Sequence, residues 1–518
     1  MANDPYVYAP HEKPFLPGGP HTPRHSPVRR WGYVAAALIS GTAASLGNAL
    51  VSVNSGALAG AYGVDVADAG WLLAAYVSMA VCANLLLVRA RQQFGITPVT
   101  QALLLTYIAA VILQFVMPGF ATALLVRAIC GLTTAGLIGL TIYNMLQVFP
   151  PQNRPMGLVL AFGIPQLGVP LARLIPVEIL TIGGGHGLSY IELGLGLIAF
   201  AAATLHPVPP TVKSAAFQSL DFVTMTLFVP AIVLLCSVMA EGRVLWWADT
   251  PWLGWALMLA IPLLVAAIWL EGQRARPLLV VRWVTTGDVI RFGVVALLIR
   301  FALAEQTFGA VGLLSVGALN NDQLHVLFTC VLVAMICGSV ASAFMLKPGR
   351  MPVAILAATL FILVGSLLDS TASNLTRPTQ LFVSQSLIGL GAALFIGPAM
   401  IFGFQRMVKH GPEAFITFVV LFGMTQNLGS LLGAAVLGSY QTVQARSHWL
   451  DLGSHLLASD PLVAARTNLG PVLTRESNIA SFNDVFRLVA GLAGLIALFM
   501  IYRIFQYRRQ VRLQEVRQ

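Results

Sequence analysis

The sequence predicts an all-α polytopic membrane protein with fourteen transmembrane helices. Three observations carry this. First, the 518 residues are 57% hydrophobic and only 10% charged, with a mean hydropathy of +0.80. Soluble domains carry about 25% charged residues, and no single water-facing core hides this much apolar surface. Second, a bilayer core about 30 Å thick needs roughly 20 apolar residues at about 1.5 Å rise each. Fourteen such runs occur, near 32–58, 69–88, 98–117, 121–148, 155–179, 187–205, 219–240, 252–270, 289–314, 323–346, 351–368, 379–403, 413–438 and 482–505. Third, the cations alternate with these runs. With the N-terminus inside, 21 of the 30 Lys and Arg fall in inside segments, five outside, and four (Arg127, Arg173, Arg300 and Arg487) within spans. A missed or extra span would invert this pattern downstream, so the count is even and both termini are expected to be cytoplasmic.

Taken in order, residues 1–31 are rich in Pro and His and are expected to be a disordered cytoplasmic tail. The first apolar run is too long and too late for a cleavable signal peptide. The inside segment "VRARQQFG" (88–95) joins spans 2 and 3 with two arginines and no acid. Span 5 reads "LVLAFGIPQLGVPLARLIPVEIL" (158–180). Such a run breaks a soluble helix but is tolerated in a bilayer where backbone lines a cavity or packs on neighbours. Gly163, Pro165, Gly168 and Pro170 therefore suggest a bent, closely packed helix, either as packing alone or with a gating role. The linker 271–288 is expected to lie along the interface, with Trp283 at headgroup depth. The outside stretch 439–481 reads as one or two amphipathic helices, either a partner-docking surface or a solvated lid. Residues 506–518 form a basic cytoplasmic tail.

The five cysteines lie in apolar runs without metal-ligand spacing, so neither a disulfide framework nor a metal site is expected. There is no phosphate loop of the G-x-x-x-x-G-K-[ST] type, so energy for pumping would come from an ion gradient, with no cofactor. The net charge of +10 follows topology and does not point to nucleic acid. His186, His325 and His410 are isolated on different loops, which argues against a membrane-embedded enzyme. The informative groups are the ionisable residues inside spans, each costing about 2.5–3.5 kcal/mol at the bilayer centre on insertion scales. Arg127, Arg173, Glu178 and Glu192 lie at similar depth and are expected to cluster, as a helix clamp or as an anion or proton site. Span 9 supplies Arg300, Glu305 and Gln306. At Glu305, burial favours the neutral acid and a nearby arginine the charged one. That tension suits a proton carrier; the alternative is a static pair with an arginine. Asp221, Asp288 and Asp484 open their spans as caps or anchors.

Particular residues carry a resemblance. Trp71 and Tyr76 in span 2, Arg127 followed by Gly131 in span 4, "GIPQLGVPLARL" (163–174), "RARPLLVVRW" (274–283) and "QNLGSLLGAAVLGSY" (426–440) resemble the major facilitator superfamily. The likeness is to its fourteen-span, EmrB-like drug:proton antiporter branch. It covers nearly the whole chain from about residue 32. The resemblance implies a six-helix half at 32–206, an inserted helix pair with linkers at 207–288, and a second six-helix half at 289–505. It implies a small-molecule substrate bound midway between the halves, alternating access, and proton coupling, for which Glu305 and Glu192 are the candidates. Cavity candidates are Arg127, Arg173, Arg300, Gln306, Gln385 and Asn427; their arginines favour organic anions. Arg89, Gln92 and Gly95 occupy the family's gating loop. A periplasmic adaptor and an outer-membrane channel are implied partners at a bacterial inner membrane. Departures are specific. Val88 and Gln92 replace the usual Gly and Asp of the loop, Gly47 falls where many members carry a coupling acid, Cys130 replaces a Gln, and Arg173 a small residue. The loop thus reads as an anchor whose electrostatic latch is lost. The missing acid keeps a second reading open: an uptake or facilitated-diffusion carrier for organic acids or siderophore-like compounds.

Overall fold

The computed structural model describes residues 12, 14, 19–211, 213–347, 349–407, 412–456 and 469–515, without the side chains at 181, 183–185, 288, 406–416 and 507–515. Among the described residues, fourteen helices are long and apolar enough to cross a membrane: Pro27–Val53, Val66–Phe94, Ile96–Val116, Phe120–Val148, Pro151–Arg173, Gly187–Leu205, Ser219–Glu241, Pro251–Gln273, Val289–Val316, Asn321–Phe344, Met351–Asp369, Pro378–Gln405, Thr417–Ser454 and Leu469–Gln506. They are spans 1–14 below. Each coincides with one apolar run of the sequence, so the all-α, fourteen-helix architecture stands.

Local chemistry sets the ends. Ser26 caps span 1 through Oγ, accepting from Arg29 N at 3.4 Å, and Pro27 occupies the first turn, where its absent N–H costs nothing. Gln218 and Asp221 cap span 7 reciprocally. Gly95 turns span 2 into span 3 in one residue at φ 93°, a backbone state open to glycine and strained for other residues.

Several expectations change. Residues 20–26, expected to be disordered, are held by hydrogen bonds to spans 4 and 5 and to residues 210–211. The rest of the 1–31 tail lies largely outside the described residues. Span 5 ends at Arg173, six residues early, and tightens into a 3-10 turn over Ile164–Leu167. Pro165, Pro170 and Pro176 each lack the N–H that would continue the helix; a separate short helix, Glu178–Gly185, follows. The described parts of 439–481 are not separate amphipathic helices. They continue spans 13 and 14 in helices Pro412–Ser454 and Leu469–Glu515, and residues 457–468 lie outside the description. Asp484 therefore sits within span 14 instead of opening it. Trp283 is buried against protein in a short helix, Val281–Val284, instead of facing outward from the linker.

Contacts divide the chain into two compact units, Met1–Gly293 with Met400–Asn427, and Val294–Ala399 with Leu428–Gln518. In the first, span 4 lies so close to span 2 that a side chain at Gly131 would strike the Tyr76 backbone. In the second, Gly338 packs on Leu390 and Gly433 on Phe301. Without a hydrophobic drive between helices in lipid, such close backbone contact supplies the dispersion energy of association. The first unit also holds the ends of spans 9, 12 and 13 near the 88–95 loop. There Phe162, Phe292, Phe418 and Phe422 stack with ring centroids 5.6 to 6.3 Å apart.

Candidate functional site

In the second unit, span 9 widens into a π-helical turn, Glu305–Ala310. Such turns insert a residue into the helical ladder and re-aim side chains. Small residues permit this one: Phe486 packs on Gly309 and Phe482 on Gly312. Glu305 is turned fully inward, at 0% exposure, beside Asp369 (2%) and Gln385 (1%). The Gln385 side-chain amide donates to Glu305 Oε1 at 3.1 Å and to Asp369 Oδ2 at 2.6 Å. Gln306 Nε2 donates to the Gln385 carbonyl at 3.1 Å, which fixes the backbone of span 12 to span 9. One amide nitrogen thus holds both buried carboxyl groups, so two negative charges there would face each other across a single side chain, out of water. Glu305 Oε2 has no other donor among the described residues.

The expected partner of Glu305 was an arginine; the structure provides Asp369 and Gln385. Arg300, five residues earlier, packs its aliphatic stem on Gly429 of span 13. Asp369 was not singled out from the sequence because it ends an apolar run, where an acid reads as a loop residue. Asn427 donates to its own helix at Gly423 O, 3.0 Å away.

In the first unit, Arg127 donates to Glu192 in a buried pair (2% and 3% exposed) and to the Gly47 carbonyl at 3.2 Å. Of the four residues expected to cluster, Arg127 and Glu192 form a direct ion pair. Arg173 is buried at the end of span 5, and Glu178 is exposed. The Arg127 charge is matched by Glu192, so it does not give the positive cavity potential expected of it. Gly47, where an acid was absent, instead presents its carbonyl to Arg127. Gly168 sits where span 5 lies against span 1, and a side chain there would strike Ser45; Gly163 is buried at the end of the helix that precedes the 3-10 turn. Pro165 falls in the 3-10 turn and Pro170 in the short helix after it.

The 88–95 segment, expected as a loop, is the helical end of span 2 as far as Phe94 and has an electrostatic partner after all. Arg89 Nε lies 4.0 Å from Asp221, and Nη2 donates to the carbonyls of Arg276 and Pro277, both at 3.2 Å. Arg274 bridges Asp221 at 2.5 Å and Glu271 at 2.6 Å. Burial works against the Arg274 charge, yet its hydrogen bonds to these acids outweigh that and hold its pKa above the ordinary guanidinium value. Glu271 accepts from Leu278 N at 2.5 Å, and Val280 N donates to Thr417 Oγ1 at 2.9 Å, tying the linker to span 13. Gln92 takes part through its backbone carbonyl, which accepts from Ser214 N at 3.0 Å. Arg91 is no surface anchor: it crosses Gly139 and donates to Ala135 O at 2.5 Å.

No family model matches the chain. The MFS-type transporter dmxR4 of Cryptosporiopsis sp. (strain 8999) is 29% identical over 191 residues, 34% of this chain; the chain spans about a third (32%) of that relative's length. Among solved structures, the human organic anion transporter MFSD10 (TETRAN) superposes with a TM-score of 0.53 at 15% identity, over 90% of this chain and 100% of that one. The proton:xylose symporter XylE, of the major facilitator superfamily, superposes with a TM-score of 0.53 at 12% identity, over 93% and 97%. The fold is that of the major facilitator transporters. The proteins matched are transporters and not enzymes. Within the major facilitator fold, the buried polar groups described above belong to helix-borne sites, with no soluble catalytic domain among the described residues.

Proposed function

We propose that the chain is a proton-coupled transporter of major facilitator type. In this reading it belongs with the fourteen-span drug:proton antiporters and exports small amphipathic or aromatic organic compounds. The observation that carries the proposal is the Glu305–Asp369 pair under the single Gln385 amide. Held on one amide and out of water, the pair is stable with a proton on one of its acids. Losing it leaves two like charges in a site closed to water, which costs several kcal/mol per ion unless the helices separate. Proton release is thereby tied to movement of span 9 against spans 11 and 12, and such movement is what alternating access needs. The four-phenylalanine stack at the ends of spans 5, 9 and 13 is the seal that opening would part. Organic anions are the favoured substrates on likeness to the organic anion transporter. That preference does not draw on Arg127, whose charge Glu192 cancels. The cation distribution supports cytoplasmic termini. A bacterial inner membrane, and a periplasmic adaptor with an outer-membrane channel, rest on the family resemblance.

The test is flux in proteoliposomes. An imposed proton gradient should drive a fluorescent aromatic acid against the direction of proton flow. Glu305→Gln should cut gradient-driven flux at least tenfold while leaving substrate exchange without a gradient within about twofold, the pattern of lost coupling. Equal gradient-driven flux in Glu305→Gln and wild type would sink the coupling site. The second reading, uptake in symport, draws on Gly47 in place of an acid and on likeness to the proton:xylose symporter; substrate moving with the protons would establish it instead.

A further inference from the structure

We propose that the N-terminal segment and the connection between spans 4 and 5 form a binding site for a phosphate-bearing anion. This is independent of the transport reading. The segment is folded back onto the bundle by specific contacts. Pro20 bridges Thr211, and His21 N donates to Pro210 O at 3.1 Å. The buried Gln147 holds it from below: Nε2 donates to His21 O at 3.0 Å, and Oε1 meets His25 Nε2 at 2.8 Å. Arg154 donates to the Thr22 hydroxyl. The segment so placed walls a cavity of about 460 Å³, within the usual range of about 300–1,000 Å³ for small-molecule sites. Arg24, Arg30, Arg154 and His25 line it; among the described residues none of the lining is acidic, and the nearest acid, the buried Glu12, meets this wall through its carbonyl, which accepts from Thr22 N at 2.9 Å.

Cations that only set topology point outward to headgroups. They do not need a chain segment folded into a wall around them. Arg24 and Arg30, with His25 between them in sequence, line one concavity; their like charges repel each other, and a concave wall focuses that potential. An anion with several oxygens relieves it. The planar fork of arginine matches phosphate oxygens two at a time, and Gln147 and Gln152 add neutral donors. The phosphate could arrive on a soluble metabolite or on a lipid headgroup of the adjoining leaflet.

The experiment uses the full-length protein in an uncharged detergent at fixed ionic strength, with sodium pyrophosphate as the soluble probe and phosphatidylglycerol as the lipid probe. Calorimetry should show pyrophosphate binding at one site per chain, weakened tenfold or more by Arg24→Gln and by Arg30→Gln. Arg350→Gln, an exposed arginine remote from the cavity lining, should bind as wild type. If phosphatidylglycerol nanodiscs displace pyrophosphate where phosphatidylcholine nanodiscs do not, the headgroup is the ligand. If neither displaces it, a soluble phosphate is. Because Arg24 is exposed, its variant should fold, and thermal melting without probe checks this. Absence of saturable binding of both probes, or affinities in the Arg24 and Arg30 variants equal to wild type, would overturn the proposal.

Discussion

Two buried glutamates of the first unit differ in what surrounds them. Glu192 has Arg127 as its donor; Glu241, at 0% exposure against Gly70, has no hydrogen-bond partner on either carboxylate oxygen among the described residues. Removing one member of a buried pair strands the other charge, at about 3–5 kcal/mol. Glu192→Gln should therefore lower thermal stability sharply, and the Arg127→Gln/Glu192→Gln double variant should recover much of it. Glu241→Gln removes a charge that nothing compensates, so stability should hold or rise; a melting curve on each variant decides. His25 gives a pH signature. Burial lowers its pKa below 6.5, with Arg29 and Arg30 adding to the effect and the Gln147 hydrogen bond opposing it. A depressed histidine pKa means that docking of the segment is fully stable above about pH 6.5 and weakens as pH falls through the lower, folded value. Protease nicking of residues 19–26 should increase between pH 7.5 and 5.5; a rate that does not change would show that His25 does not control docking. At this scale the sequence made Arg127, Glu192, Glu305 and Gln385 visible, because a polar group in an apolar run is conspicuous. Their partners were not visible. Asp369, Asp221 and Glu271 sit at span ends, where acids are ordinary, and helix packing alone brings them to their sites.

At the scale of elements, the 88–95 loop shows how a motif can be lost locally and rebuilt from elsewhere. Its missing acid is supplied by Asp221 of span 7, far along the chain, so no reading of the loop alone could find it. Gln92 contributes a backbone carbonyl, and Gln92→Ala should change stability by less than about 0.5 kcal/mol. Gly95→Ala should cost about 1–2 kcal/mol, since φ 93° is strained for alanine and its Cβ would sit 3.2 Å from Thr211 Oγ1. Denaturation monitored by cysteine accessibility would separate the two. Span 5 was legible as a broken helix from its prolines, but its early end depended on which proline stops the ladder. The long extensions of spans 13 and 14 were hidden because polar helix beyond the bilayer has no apolar signal.

For the whole molecule, fold was the most legible level. Fourteen apolar runs and alternating cations constrain one another, and an error in one would show in the other. Function is legible more weakly, because the fold is shared by carriers of unlike substrates and directions. The Gln385 amide nevertheless limits what ion can serve. Its two hydrogens point at the two acids, so any metal cation approaching those oxygens meets the positive end of an amide dipole where it needs a ligand oxygen. A bare proton has no such requirement, since it bonds to one carboxylate oxygen and needs no shell of ligands. If this pair is the coupling site, as proposed, the orientation of that one side chain favours protons over sodium. Replacing sodium by choline on both sides of the membrane should leave transport unchanged, and turning that amide into a carboxylate, Gln385→Glu, should admit sodium as a competitor.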